Sequence, residues 1–249
     1  MFMEFQGVEN ARQLGGLVRK DGRRIKKDLL FRTGHLAKAT EEDIRRLEEL
    51  GISHVIDFRD GAEVKKSPDR IPAGAEHHHI PALGDLRDLF KKKPDDPTMT
   101  PEEIHRDFTN LYGVLARGAE SQAAYEEFFR ILLASEGKPV LWHCTQGKDR
   151  TGIAAILLLG ALGFDEGFAI EEYLLTNRFA QKQLAAMEQN GATERQLALL
   201  GELLPVFREN AEFYLHCIQL EHFSLRHYLE LVLGVGPGEI EKLETYYLE

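Results

Sequence analysis

The sequence predicts an α/β fold, a central and mainly parallel sheet flanked by helices with a helical C-terminal part. Three observations carry this expectation. Strand and helix signals alternate through the first third of the chain, a short apolar run at 140–143 stands between helical segments, and everything after Cys144 is helical in period or apolar nearly all round. The 249 residues, 43% of them apolar, are enough to bury roughly 70 to 75% of the unfolded surface without disulfides or a structural metal. The chain reads as one domain over 1–249.

Residues 16–25, GLVRKDGRRI, predict a hairpin, because Asp21-Gly22 is a strong turn dipeptide between short alternating runs. LLFRTG at 29–34 reads as the continuation of its second arm. Thr40 and Asp43 form a capping signal for 41–51, EEDIRRLEELG, where Ile44, Leu47 and Leu50 share a face and Gly51 is a natural stop. The strand SHVIDF (53–58) follows, then a third, AEHHHIPAL (75–83), leading into the loop GDLRDLF. Residues 91–101, KKKPDDPTMTP, concentrate proline and charge as a solvated insertion. Helical periodicity resumes from Pro101 to Arg117 and from Ser121 to Ser135, and Gly137-Lys138-Pro139 breaks it before the strand VLWHC. The segment 151–164, TGIAAILLLGALGF, predicts a helix buried between the sheet and other helices. Then come EEYLLTN, a long helical stretch from about Phe179 to Phe213, and helices at LRHYLELVLG and EIEKLETYYL.

Acidic side chains outnumber basic ones by 41 to 31, a formal net charge of −10. Such a surface repels polyanions, so nucleic-acid binding is not expected and a bound phosphate must meet a local basic site. The N-terminal MFMEFQGVEN lacks the basic region of a signal peptide, and the longest uncharged apolar stretch, Gly152 to Phe164, is shorter than the roughly 18 residues of a membrane span. The default expectation is a cytoplasmic protein without stable membrane insertion, with export by a non-classical route left open. Cys144 and Cys217 give neither a disulfide framework nor metal-ligand spacing. Cys217 reads as a small buried hydrophobe.

The chemistry concentrates in 141–152, LWHCTQGKDRTG. A cysteine at a strand end is followed after five residues by an arginine at a helix start. With Gly147 in it, such a loop can turn successive N–H groups inward around an anion while the next helix adds its positive end. Arg150 can grip two phosphoryl oxygens at once, which a lysine cannot do as well. Thr151 can donate its hydroxyl to the sulfur, and His143 suits the orientation of the loop better than the role of a base. A Walker A reading fails, because Gly147-Lys148 is followed by Asp149 rather than Ser or Thr.

On these residues the chain resembles the cysteine-dependent tyrosine and dual-specificity phosphatases, whose HCxxGxxR[ST]G signature is matched by His143, Cys144, Gly147, Arg150, Thr151 and Gly152. It is most similar to the atypical bacterial tyrosine and phosphoinositide phosphatases, whose loop reads HCxxGKDRTG. Asn10 to Gly16 resembles that family's NxRxLGG block, with Gln13 where an acid is more usual. LFRTGHL, VIDFRDGAEV, EEYLLTN and the terminal YLELVLG to LETYYLE resemble further blocks. The resemblance implies a phosphotyrosine-phosphatase-like fold. It implies hydrolysis of a phosphorylated protein or phosphoinositide through a phosphocysteine on Cys144, with no metal and no organic cofactor. Cys144, Thr145, Gln146, Gly147, Lys148, Asp149 and Arg150 would line the phosphate.

Two carboxylates compete as general acid. Asp85 follows the third strand in a glycine-containing loop, where the wider superfamily keeps its acid, whereas Asp149 lies inside the cradle and is favoured because it is certain to be near the phosphate. Asp57 and Arg59 read as a buttress of the loop. Lys148 is either a solvated rim residue or a contact for a multiply phosphorylated substrate. His77, His78 and His79 alternate in direction along a strand and cannot all converge on one ion. The stretch 179–213 is either a helical lid over the phosphate loop or an ordinary core helix pair. Sulfur transfer and a non-catalytic phosphate-binding module are the rival functions. Thr151-Gly152 and His143 count against the first, and intact Cys144 and Arg150 against the second.

Overall fold

Five short strands form one sheet in the computed structural model, which describes residues 1–84, 92 and 96–249. They are β1 (Arg12–Gln13), β2 (Leu30–Thr33), β3 (His54–Asp57), β4 (Glu76–His79) and β5 (Val140–His143), in the spatial order β1-β2-β5-β3-β4. β1 runs antiparallel to β2; the other pairings are parallel. β5 is central, with Val140 opposite both Leu30 and His54, and His143 opposite both Thr33 and Asp57. The C-terminal ends of β2, β3 and β5 are therefore level, and Cys144 leaves the sheet at that shared edge.

Side chains alternate across the sheet with the strand period of two. Phe31, Val55 and Leu141 pack on one face with Leu36 and Leu47, while Leu30, Ile56, Val140 and Trp142 enter a larger core on the other. Burial on both faces explains why these strands read as apolar runs rather than alternating ones. The first face is covered by α1 (Glu41–Glu49), which opens with the expected Thr40–Asp43 capping box and ends before Gly51 at φ +67°. The second face carries α3 (Pro101–Arg117), α4 (Ala119–Ala134) and α5 (Asp149–Ala161), joined by α9 (Arg208–His222), α10 (Leu225–Leu231) and α11 (Pro237–Tyr247). In α5, 11 of 13 residues are buried, as its uniform apolarity requires. The remaining helices are α2 (Gly61–Lys66), α6 (Glu166–Leu174), α7 (Asn177–Gln189) and α8 (Glu194–Leu203).

Two expectations change. Residues 16–25 do turn back on themselves at Gly22, φ +93°, with Arg19 N–H bonded to Arg23 O and Ile25 N–H to Leu17 O. LLFRTG does not continue that arm. The second arm pairs with the C-terminus instead, Ile25 with Leu248, and the chain turns at Asp28 before β2 enters the sheet interior. Gln13 clasps this turn, donating to Asp28 Oδ1 and accepting from Asp28 N–H, both at 2.8 Å. The reason is burial: Leu30 and Phe31 face opposite cores, which an exposed hairpin arm could not supply.

The long helical stretch is likewise three helices, interrupted by Gly191 at φ +83° and by Pro205. α7 buries only Ala180, whereas α8 joins the main core through Leu199. Residues from Arg208 onward belong to α9, whose Ala211, Tyr214, Leu215 and Ile218 are buried. Among the described residues no helix is long and apolar enough to cross a membrane.

Candidate active site

The loop between β5 and α5 is shaped from outside by its carbonyls. Gly147 adopts φ +66°, and a Cβ there would lie 2.2 Å from Thr33 O, so both conformation and space require glycine. Asn10 Nδ2 donates to Gly147 O at 2.9 Å and Gln146 O at 3.1 Å, Arg32 donates to Gly147 O at 3.0 Å, and His35 N–H donates to Thr145 O at 3.2 Å. Among the described residues, none accepts a hydrogen bond from the N–H groups of Thr145, Gln146, Gly147, Lys148, Asp149 or Arg150. Carbonyls claimed from behind and unclaimed N–H groups at a helix start are the makings of an anion cradle.

The groups behind the loop form a buried triad. Arg12 and Arg32 share Glu172, with Arg12 Nε and Arg32 Nη1 each 2.6 Å from a different carboxylate oxygen. Arg12 also donates to Asn10 Oδ1 at 2.6 Å and Thr176 Oγ1 at 3.1 Å. Burial, then the charge of Arg32, lowers Arg12 to about 10, which still leaves it a cation at neutral pH. Burial opposes the Glu172 charge, but the two guanidiniums outweigh it and hold the carboxyl below its ordinary value. Two cations against one anion leave a net positive charge beneath the loop.

A second ion pair fixes Arg150. Its Nη1 and Nη2 donate to Glu63 Oε2 and Oε1 at 2.6 and 2.8 Å, and Thr145 Oγ1 donates to the same carboxylate. Burial pushes the Glu63 carboxyl up, yet Arg150 and Thr145 bring it down to about 2. Glu63 occupies the end of the guanidinium, and among the described residues no acceptor takes the Nε–H, so the side edge remains for an oxyanion. Glu63 is also the third residue of α2, where it closes a capping box with Asp60. Asp57, Arg59 and Asp69 buttress the other side. Arg59 is fully buried and spent on Asp57, Asp69 and Ser67 O, which rules out a direct anion contact. His143 Nε2 lies 3.2 Å from Asp69 Oδ2 but outside hydrogen-bond geometry.

A family model described as the tyrosine phosphatase family matches residues 3–249. The chain belongs to the tyrosine phosphatase family. It is 33% identical to the Cupriavidus necator protein H16_A0669, named as a tyrosine-protein phosphatase, over 99% of this chain and 88% of that one. It is 30% identical to the triple specificity protein phosphatase PtpB of Mycobacterium tuberculosis over 59% of this chain and 60% of that one. Among solved structures, P. aeruginosa TpbA overlaps 61% of this chain and 71% of its own at 19% identity and a TM-score of 0.32. The protein is thus a phosphatase of the tyrosine phosphatase type.

In this tyrosine phosphatase Cys144, Thr145, Gln146, Gly147 and Lys148 form the loop, and Asp149 and Arg150 open α5. Asp85 falls outside the described residues. Asp149 Oδ1 accepts from Tyr112 Oη at 2.7 Å, and Tyr112 Oη lies 2.5 Å from Tyr173 Oη. Because Tyr112 has one proton and gives it to Asp149, Tyr173 is the donor in the second bond. Burial first, and Asp149 next, pushes the Tyr112 phenol well above its ordinary range, so it stays a donor. Lys148 is not a solvated rim residue. It is 4% exposed, its Nζ donates to Leu203 O at 2.6 Å, and it lies 4.1 Å over the Phe108 ring, at the end of α8. Thr151 Oγ1 is buried without a hydrogen bond, so the structure does not show the bond to the Cys144 sulfur that the sequence suggests. Cys217 is buried in α9, where burial raises its thiol.

Sequence reasoning missed Glu63, Glu172, Tyr112 and Tyr173. Glu63 had a local signal, the Asp60-x-x-Glu63 capping pattern, and Glu172 and Tyr173 lie in the EEYLLTN block, whose purpose no local pattern gives; Tyr112 reaches the loop from a helix distant in sequence. Glu172→Gln leaves two buried guanidiniums with half their partner, and chemical denaturation should show a loss of about 3 to 5 kcal/mol. Glu63 also predicts a pH dependence. Its folded value of about 2 lies below its ordinary 4.5, so its stabilisation is full above pH 4.5 and is lost as pH falls through 2. Unfolding midpoints measured between pH 5 and 2 should fall less steeply in Glu63→Gln than in the wild type.

Proposed function

We propose that this phosphatase hydrolyses phosphate monoesters, phosphotyrosine and also phosphoserine, phosphothreonine and phosphoinositides, through a phosphocysteine on Cys144. The observation that carries this reading is the loop's backbone: its carbonyls are held outward by Asn10, Arg32 and His35, while six successive N–H groups remain for a phosphate. The Cys144 sulfur attacks phosphorus as the phosphorus–oxygen bond to the leaving group breaks. Arg150, through its free Nε edge, and the loop N–H groups hold the three equatorial oxygens. Asp149 gives its proton to the departing oxygen. Water then attacks phosphorus, the phosphorus–sulfur bond breaks, and Asp149 takes the proton back from water. Two bonds form, two break, and neither metal nor organic cofactor takes part.

Asp149 is the favoured acid because its other oxygen is fixed by Tyr112, which aims the carboxyl without depending on a moving loop. Asp85 keeps the alternative role. The wider substrate range is favoured by the net positive charge beneath the loop and by the triple-specificity name of one relative. The helices α7 and α8 act as a cover of the loop. Asn177 clips their base, donating to Val206 O and accepting from Val206 N–H, and the cover touches the loop where Lys148 meets Leu203 O. In α7 only Ala180 is buried, which suits a segment that moves away more than one that holds the core.

Cys144→Ser should abolish turnover of a phosphotyrosine, phosphoserine and phosphoinositide panel while phosphate binding persists; turnover in this variant would overturn the mechanism. Asp149→Asn should slow alkyl esters and phosphotyrosine on the order of 10²-fold, and a nitrophenyl ester far less. The same pattern in Asp85→Asn, with Asp149→Asn unaffected, would move the acid. Replacing the segment between Gln181 and Pro205 by a short Gly-Ser linker should leave a folded protein whose Cys144 is alkylated faster and whose substrate range is altered; an unfolded product would place the segment in the core.

A further inference from the structure

At the end of the sheet opposite the phosphate loop, three ligand-bearing side chains meet across two strands. The parallel register puts His54 of β3 directly opposite Glu76 of β4, and His78, two residues further along β4, points to the same face. His54 Nδ1 and His78 Nε2 are 3.0 Å apart; Glu76 Oε2 lies 3.8 Å from the first and its Oε1 3.8 Å from the second. The sequence gives no hint of this cluster. Among the three consecutive histidines only His78 takes part, since His77 faces Asp57 at 4.0 Å and His79 reaches Arg59 O at 2.8 Å. The partner, His54, comes from the neighbouring strand 24 residues earlier in the chain, brought in by strand register.

We propose that His54, His78 and Glu76 bind a first-row divalent transition ion, tying edge strand β4 to β3. The donor set is two imidazoles and one carboxylate, which suits nickel, copper or zinc rather than calcium or magnesium. Two nitrogens 3.0 Å apart, each about 2.1 Å from one ion, subtend about 90° at it, the angle of adjacent ligands in an octahedral or tetragonal site. The two imidazoles are only partly exposed, whereas Glu76 is mostly in water, so the ion would have rigid nitrogen ligands, a carboxylate that can swing 1 to 2 Å inward, and open positions for water. Burial and the neighbouring His78 lower His54 from its ordinary value against the opposing charge of Glu76. His54 is opposite Val140, three residues before His143, so roughly 10 Å of strand separates the ion from the phosphate loop. Occupancy and phosphate binding are separate events.

The test is calorimetric titration of nickel chloride into the Cys144→Ser protein, which keeps the catalytic thiol from competing for the ion. We expect one ion per chain with Kd in the micromolar range, and Tm raised by roughly 5 °C at a hundredfold excess over Kd. His78→Gln and Glu76→Gln, each in the same background, should weaken binding about tenfold or more and remove the Tm shift, while His77→Gln, on the opposite face, should bind as the parent does. Affinity no tighter than millimolar in the parent, or unchanged affinity in both His78→Gln and Glu76→Gln, would overturn the proposal. Glu76 is 68% exposed on the side chain, so its variant folds whether or not His78→Gln does.

Discussion

The position of the phosphate loop depends on the sharing of one buried carboxylate, Glu172, by two buried guanidiniums. Arg32 reaches from Glu172 to Gly147 O, and Arg12 reaches from Glu172 to Asn10, whose amide holds Gly147 O and Gln146 O. A carbonyl held from behind cannot rotate inward, so the N–H on its far side must face the loop's interior. Removing any one member would leave a buried charge or a buried amide unpaired, which is why the set acts as a unit. Its surplus positive charge lies under the place where the loop's own dipoles already favour an anion.

Glu63 does for the side chain of Arg150 what the triad does for the backbone. It orients the guanidinium by its terminal nitrogens and leaves the side edge free, so the arginine arrives at an anion already turned. The same carboxylate caps α2 and accepts from Thr145, so helix start, loop and arginine are fixed by one group. Asp149 is held in turn by a relay from Tyr173 through Tyr112, both from helices of the large core. Three separate elements of the fold thus converge on seven consecutive residues.

The two ends of the sheet serve different ends. Parallel strands with level C-termini deliver Cys144 to an edge where helix starts and glycine turns collect, while the N-terminal end carries a histidine–glutamate cluster across β3 and the edge strand β4. Loop changes at one end need not disturb the other, because the buried strands β3 and β5 separate them.

Sequence alone determined the parallel sheet, the capping of α1, the buried character of α5 and the loop from Cys144 to Arg150, because each is written in neighbouring residues: apolar period, capping pairs, a glycine at a left-handed turn. The blocks around Asn10, Arg32 and Glu172 were visible as resemblances, but their purpose was not. Their common target, Gly147 O, is set by pairings across more than 100 residues. Only the tertiary structure decided that Lys148 turns to α8 instead of water, that Arg59 is spent on carboxylates, that LLFRTG enters the sheet rather than extending a hairpin, and that His78 meets His54. Each of these is a matter of which faces are buried together, and burial is a property of the packed chain that no local window contains.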